Sequence, residues 1–151
     1  MQIYSTTNFI YEYKKLVKIK KHYSCLPKHV SKYIFEDKFQ PKGDLLNRLG
    51  KVSVYKSRLK SCNNRGKSYG FRFVFLEHPD YNILLTVYPK WGSENTADLK
   101  PEEISVLIAE ALIEKESNEW MRVSFDEKKK KIQFHEQVEI IPEEIIQDEE
   151  E

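Results

Sequence analysis

Residues 51–91 read KVSVYKSRLKSCNNRGKSYGFRFVFLEHPDYNILLTVYPKW, and this stretch decides the fold. Apolar and polar side chains alternate over 52–61 and 71–76, the period of β-strands with two different faces. Residues 82–88 are almost wholly apolar, which indicates a strand covered on both faces. Polar segments with turn residues separate the three stretches. The sequence therefore predicts three consecutive antiparallel strands, the third of them central.

Helices are predicted on both sides of these strands. Residues 6–8 offer side-chain oxygens to cap a first helix, which has an apolar stripe at helical spacing. Pro27 suits the first turn of a second helix. Residues 40–50 are expected to form a loop with one helical turn at 45–49. With a further helix after the strands, the predicted fold class is α+β.

The C-terminal part of the chain adds a helix and a hairpin. Asp98 or Leu99 leads into the helix, which has Pro101 in its first turn. Alternating residues at 120–125 and 132–134 then predict a small hairpin around the turn DEKKKK. The last residues, QDEEE, are expected to be disordered.

Charge is divided unevenly along the chain. Residues 1–116 hold 20 lysines and arginines against 13 aspartates and glutamates, a net charge of +7. Residues 117–151 hold 5 against 11, a net charge of −6. We therefore distinguish a basic domain of residues 1–116, which suits an anionic partner, from an acidic extension of residues 117–151. The extension either adds a hairpin to the sheet edge, mediates dimerisation, or covers the basic surface as a plug.

Cysteine and histidine usage indicates an ordinary cytoplasmic protein. Cys25 and Cys62 are far apart and lack C-x-x-C pairing, which predicts two unpaired thiols rather than a disulfide. Histidines and cysteines lack zinc-ligand spacing, so neither a metal nor a cofactor is expected. The sequence contains no apolar run of about 18 residues that would span a membrane. The first residues lack the apolar core of a secretory signal.

Cations on the predicted strands are the candidate functional residues. Lys56, Arg58 and Lys60 alternate along the first strand, so they project from one face. Arg72 interrupts an apolar strand, and Tyr88 adds a phenol to the third strand. Buried cations are costly unless the face is wet or binds an anion. The alternatives are an ordinary exposed sheet face and a structural arginine paired with a carboxylate.

Such a set, rich in cations and poor in acids, suits RNA cleavage by the adjacent 2′-hydroxyl. Arginine and lysine place positive charge where negative charge develops on the phosphate. A tyrosine or a lysine with a lowered pKa can serve as the base. DNA lacks the attacking hydroxyl and would not be cleaved.

The run VYKSRLKS…RGKSYGFRFVF…YNILLTVYPKWG resembles the toxins of RelE/HigB-type toxin–antitoxin systems. That family has a V-x-K-x-R-L strand, then G-K-x-x-G-[FY]-R, then an L-L-x-x-Y-x-K strand. A lysine-rich pattern at 9–26 and D-L-x-P-E-E-I at 98–104 are also similar, so the resemblance covers about residues 3–116. It implies two N-terminal helices packed on a twisted antiparallel sheet. It also implies metal-independent cleavage of mRNA on the ribosome and neutralisation by a cognate antitoxin.

The resemblance implies a role for each matching residue. Lys56 and Arg58 match the basic strand that binds and polarises phosphate. Arg72 matches the arginine that stabilises the transition state, and Tyr88 the tyrosine that acts as base or stacks on a nucleobase. Lys90 matches the lysine that follows. RNA binding rather than chemistry is assigned to three further cations: Lys60, Arg65 and Lys67. A non-catalytic RNA- or ribosome-binding module and an inert structural domain remain the alternatives to a nuclease, and the oligomeric state is left open.

Overall fold

The computed structural model describes residues 1–63 and 67–137, with the backbone alone at Lys67. Within these ranges seven strands form one sheet, and four α-helices accompany it, so the α+β class is confirmed. The strands are β1 (Gln2–Ser5), β2 (Asp44–Leu49), β3 (Val52–Leu59), β4 (Phe71–His78), β5 (Tyr81–Pro89), β6 (Met121–Asp126) and β7 (Lys131–His135). The helices are α1 (Thr7–Val17), α2 (Lys20–Tyr23), α3 (Leu26–Ser31) and α4 (Pro101–Glu116). A π-helical turn at Lys32–Glu36 continues α3, and a 3₁₀ turn at Lys67–Tyr69 precedes β4.

The strand order in the sheet is β2-β3-β4-β5-β1-β6-β7. The three predicted strands are β3, β4 and β5, and they pair antiparallel in sequence order. Every residue of β5 is buried, as the prediction of a central strand requires. The predicted hairpin is β6–β7, which joins the sheet because β6 pairs with β1.

Strand β1 was not predicted, and it changes two expectations. A strand rather than a helix leads the chain, and β1 pairs parallel to β5, so the sheet is mixed and not wholly antiparallel. A segment of four residues is too short for its alternation to be distinguished from chance. Its placement depends on partners about 80 residues away along the chain, which local patterning does not reveal.

One further local prediction was wrong, and another was correct. Residues 45–49 form part of the edge strand β2 instead of a helical turn, and an irregularity between Leu45 and Asn47 breaks the alternation that would have identified it. The cap of α4 is Lys100, whose N–H donates to Glu103 Oε1 at 2.9 Å. Asp98 and Leu99 thus lead into the helix, and Pro101 lies in its first turn, as predicted.

The two faces of the sheet carry separate apolar cores. On one face, Phe71, Phe73 and Phe75 of β4 lie in the same core as residues of α1 and α3. Phe9 of α1, for example, contacts Phe73 edge to face with ring centroids 5.5 Å apart. On the other face, the core is built from β3, β4 and β5 together with Ile104, Ile108 and Ala111 of α4. Strands β3 to β5 are consequently held rigidly from both sides over most of their length.

A buried carboxylate joins the two ends of the basic domain. Glu114 of α4 accepts hydrogen bonds from the Thr7 N–H at 2.9 Å and from the Thr7 hydroxyl at 2.6 Å. Thr7 is the first residue of α1, where unpaired N–H groups and the helix dipole favour a negative charge. Within the described ranges, the helices are too short or too polar to cross a membrane.

The prediction of unpaired cysteines was wrong. Cys25 and Cys62 form a disulfide, with their Cα atoms 5.4 Å apart. The folded chain brings the start of α3 next to the segment that follows β3, although the two cysteines are 37 positions apart in the sequence. Because disulfides are rare in reducing compartments, cysteine usage no longer supports a cytoplasmic location.

Reducing this disulfide is expected to lower the free energy of unfolding by about 3–4 kcal/mol, because the loop it closes regains its freedom in the unfolded chain. Urea denaturation with and without a dithiol reductant measures the change. The C25S/C62S double variant should match the reduced protein in both conditions. Equal urea midpoints for oxidised and reduced wild type would contradict the expectation.

Candidate nucleic-acid interface and active site

Three candidate residues form a row across adjacent strands. Arg58 of β3 lies directly opposite Arg72 of β4, and Arg72 lies directly opposite Tyr88 of β5. Directly opposed side chains share a face and stand about 5 Å apart at Cβ. Opposed like charges destabilise a sheet. The Arg58–Arg72 pair is therefore a feature that packing alone does not favour.

Two lysines flank the row on the same side of the sheet. Lys56 precedes Arg58 by two positions in β3, so the two side chains share a face. Lys90 comes just after β5, and its ammonium nitrogen donates to the Thr96 carbonyl at 3.0 Å. Lys56 and Lys90 both approach the carboxylate of Asp98, which places them near each other. We call the set Lys56, Arg58, Arg72, Tyr88 and Lys90 the basic face.

Asp98 is the site residue that the sequence did not single out. Its Oδ1 atom lies 3.8 Å from Lys56 Nζ, 3.5 Å from Lys90 Nζ and 3.5 Å from the Tyr88 hydroxyl. The sequence predicted a surface poor in acids, but the carboxylate of Asp98 lies among the side chains of the basic face. Partial burial would raise the pKa of Asp98, but the charges of Lys56, Lys90 and Arg72 outweigh it and lower that pKa. The sequence signal was an acid in the segment between β5 and Pro101, which also contains Glu94.

Arg72 is 5% exposed, although it carries a charge. Its guanidinium donates to the carbonyl of Phe71 at 3.4 Å and to that of Ser68 at 3.3 Å. Burial first and the charge of Arg58 second lower the pKa of Arg72, against the opposing effect of Asp98. Perturbed groups of this kind cluster at functional sites. A guanidinium held by backbone carbonyls is oriented before any ligand binds.

Tyr88 does not have the lowered pKa that a base would need. Burial raises the pKa of its phenol to about 12, and Asp98 adds to the increase while Arg72 opposes it. The hydroxyl is therefore protonated at neutral pH. A protonated phenol donates hydrogen bonds and protons, so this environment suits a donor or a stacking surface better than a base.

Gly70 permits the close approach of β4 to β3 beside the row. A Cβ atom at this position would collide with the carbonyl oxygen of Leu59. The Gly70 carbonyl also accepts from the Lys90 N–H at 2.9 Å, which ties the start of β4 to the end of β5. The glycine of the G-x-R segment therefore positions both Arg72 and Lys90.

Of the three cations expected to bind RNA, Lys60 is the one whose side chain the structure describes, and it does not lie on the basic face. Lys60 lies beyond the end of β3, is exposed, and acts electrostatically on His29 of α3, where it helps to lower the pKa after burial and Lys28. The alternation that grouped it with Arg58 ends at Leu59. Arg65 and the side chain of Lys67 fall outside the described residues.

Within the described ranges, no group of three or more histidine, cysteine, aspartate or glutamate side chains is arranged to hold a metal ion. Comparison with protein-family models gives no match to this sequence. Comparisons with curated proteins and with solved structures give no match either. The geometry of the basic face and the motifs of the sequence therefore carry the functional argument.

Proposed function

We propose that this protein is an endoribonuclease toxin that cleaves mRNA on the ribosome and is neutralised by a cognate antitoxin. The observation that carries the proposal is the row of Arg58, Arg72 and Tyr88, with Lys56 and Lys90 beside it. Four cations and one phenol on neighbouring strands suit a phosphodiester whose charge increases during reaction. The mRNA substrate, the dependence on the ribosome and the antitoxin partner are inferred from the family resemblance.

The reaction proposed is an internal transfer that needs no cofactor. The 2′-hydroxyl loses its proton to a solvent water and attacks the adjacent phosphorus, and the bond from phosphorus to the 5′-oxygen breaks as that oxygen takes a proton. Solvent then returns a proton to the donor. The products are a cyclic phosphate and a 5′-hydroxyl. Arg72 and Arg58 stabilise the added charge on the phosphorane oxygens, and Lys56 and Lys90 bind the phosphate. These cations provide the positive charge that a metal ion supplies in other nucleases.

Tyr88 is proposed as the proton donor to the departing 5′-oxygen. Its raised pKa keeps the proton on the phenol until the oxygen becomes basic in the transition state. The base that takes the 2′-proton is not assigned to Tyr88, in contrast to the role expected from the resemblance.

The arrangement of two N-terminal helices on a sheet, expected for the same family, is part of this proposal. Contacts of Phe9 and Tyr33 with Phe73, at 5.5 Å and 5.3 Å between ring centroids, support it. The leading strand β1 and the hairpin β6–β7 are additions to the expected arrangement.

A non-catalytic RNA- or ribosome-binding module is the second candidate function. The raised pKa of Tyr88 favours it, because the phenol does not provide a ready base. Such a module would use the same cations to bind phosphates and would leave the RNA intact.

Induced expression of the full chain in a bacterial host without antitoxin tests the proposal. We expect growth arrest and new 5′ ends within translated messages, mapped by primer extension. A reporter message without its start codon should remain intact, because the proposed cleavage needs a ribosome. Intact messages in arrested cells would favour the binding module, and intact messages with normal growth would overturn the toxin proposal.

Tyr88→Phe removes the hydroxyl and keeps the ring. If the phenol protonates the departing oxygen, cleavage of ribosome-bound mRNA should slow about 100-fold. The variant keeps the buried ring and loses a 3.5 Å contact with Asp98 and a hydrogen bond with the Leu99 backbone, so thermal melting should show that the fold is retained. Tyr69→Phe, on an exposed tyrosine outside the row, is the matched control. Cleavage by Tyr88→Phe at the wild-type rate would remove Tyr88 from the chemistry.

A further inference from the structure

Three donors of the basic face converge on a single carboxylate oxygen. Lys56 Nζ, Lys90 Nζ and the Tyr88 hydroxyl all lie within 3.8 Å of Oδ1 of Asp98. The donors come from the two edges of a three-strand segment, and Asp98 comes from the connection to α4. An oxygen surrounded by two ammonium groups and a phenol has the environment of a bound phosphate oxygen.

The carboxylate of Asp98 is held loosely at this position. Charge-assisted hydrogen bonds normally measure about 2.7–2.9 Å, and none of the three contacts is that short. The side chain is also 57% exposed. Glu114, by contrast, is buried and accepts two hydrogen bonds from Thr7 at 2.6 and 2.9 Å. Glu114 is thus a structural carboxylate, whereas Asp98 makes contacts that a stronger anion can replace.

The main chain on both sides of Asp98 is fixed. The Thr96 N–H donates to the Pro89 carbonyl at 3.0 Å, and the Thr96 carbonyl accepts from Lys90 Nζ at 3.0 Å. On the other side, Lys100 begins the capping box of α4. Release of the basic face therefore requires rotation of one side chain and no movement of the loop.

We propose that Asp98 occupies the position of an RNA phosphate in the free protein and competes with RNA for Lys56, Lys90 and Tyr88. The identity of the ligand as RNA rests on the proposed function. When a phosphate arrives, the carboxylate rotates toward solvent and the two ammonium groups transfer to the phosphate oxygens. Asp98 thereby weakens binding of polyanions that do not make enough further contacts to displace it.

Asp98→Asn tests the competition with a ligand that cannot be cleaved. The probe is a short single-stranded DNA oligonucleotide, which carries phosphates but lacks the 2′-hydroxyl, and anisotropy gives its Kd over a series of salt concentrations. We expect the variant to bind about tenfold tighter, with a salt slope steeper by about one phosphate contact. Glu102→Gln is the matched control, because it removes one exposed negative charge outside the basic face. It should change the Kd by less than about twofold, as expected for a screened distant charge.

A second variant shows whether the effect passes through the lysines. In a Lys90→Gln background, Asp98→Asn should increase the affinity for the oligonucleotide by a smaller factor, because Lys90 and Asp98 contact each other. If Asp98→Asn increased the affinity no more than Glu102→Gln does, the proposal would be overturned. Weaker binding by Asp98→Asn would also overturn it and would show that Asp98 orients the lysines.

These experiments distinguish a failure of the nuclease proposal from a failure of the proposed competition by Asp98. If the wild-type chain leaves translated mRNA intact but Asp98→Asn binds the oligonucleotide tighter, the nuclease is overturned and the competition by Asp98 stands. If the chain cleaves mRNA but the variant binds no tighter than the control, only the competition is overturned.

Discussion

Replacing Arg72 with glutamine is expected to slow RNA cleavage by about 10²- to 10³-fold, the usual cost of removing one group that stabilises transition-state charge. Arg72 is buried, and two backbone carbonyls orient its guanidinium beside Arg58 and Tyr88. Single-turnover cleavage of mRNA on stalled ribosomes measures the effect on chemistry. Oligonucleotide binding should change much less than the rate.

The control is Arg48→Gln, which removes the same charge from an exposed position in β2 opposite Ser53. Thermal melting separates a catalytic loss from unfolding, since Arg72 is surrounded by buried residues. Arg72→Lys, which keeps the charge but loses the planar fork, should fold and cleave at an intermediate rate. Cleavage by both Arg72 variants at the wild-type rate would exclude this residue from the reaction.

Ending the chain at residue 116 is expected to prevent folding, because the hairpin completes both cores. Trp120 is 1% exposed, lies 5.9 Å from the Tyr4 ring, and donates its indole N–H to the Ala111 carbonyl at 2.8 Å. Val123 and Ile132 belong to the opposite core. Loss of even one large aromatic side chain from a core costs about 3–5 kcal/mol, against a typical total stability of about 5–15 kcal/mol.

Trp120→Ala isolates one part of this effect and should lower the free energy of unfolding by about 3–5 kcal/mol, measured by urea denaturation. Tyr11→Ala removes an aromatic ring that is 64% exposed and should change the free energy of unfolding by less than about 0.5 kcal/mol.

Removing residues 138–151 alone tests the plug interpretation of the acidic extension, because increased toxicity is expected only if those residues cover the basic face. A folded, stable chain ending at 116 would show that the hairpin is dispensable.

Strong local patterns explain what the sequence predicted correctly. The alternation in β3 assigned Lys56 and Arg58 to one face, correctly, together with Lys60, which lies beyond the end of the strand. The register of the sheet then brings Arg72 to the face of Arg58. The continuous apolar run of β5 identified the central strand. In each of these cases the determining interactions lie within one strand or between strands adjacent in sequence.

Contacts between distant segments explain what the sequence did not reveal. The partners of β1 and the disulfide between Cys25 and Cys62 depend on the folded arrangement of the whole domain. The position of Asp98 depends on a loop path that periodicity does not describe. The pKa of Tyr88 rises because the surroundings bury the phenol, whereas counting nearby cations suggested a decrease.

Strand β1 has a consequence for biosynthesis. Strand β1 leaves the ribosome before its partners, which are residues 81–84 and then Met121 and Arg122. The nascent chain therefore carries β1 as an unpaired strand while the following 80 or so residues are made. The β6–β7 hairpin can join the sheet only after β1 has paired with β5. Such long-range pairing gives a high contact order and slow folding. Exposed strand edges at this stage favour aggregation and binding of chaperones to the unfinished chain.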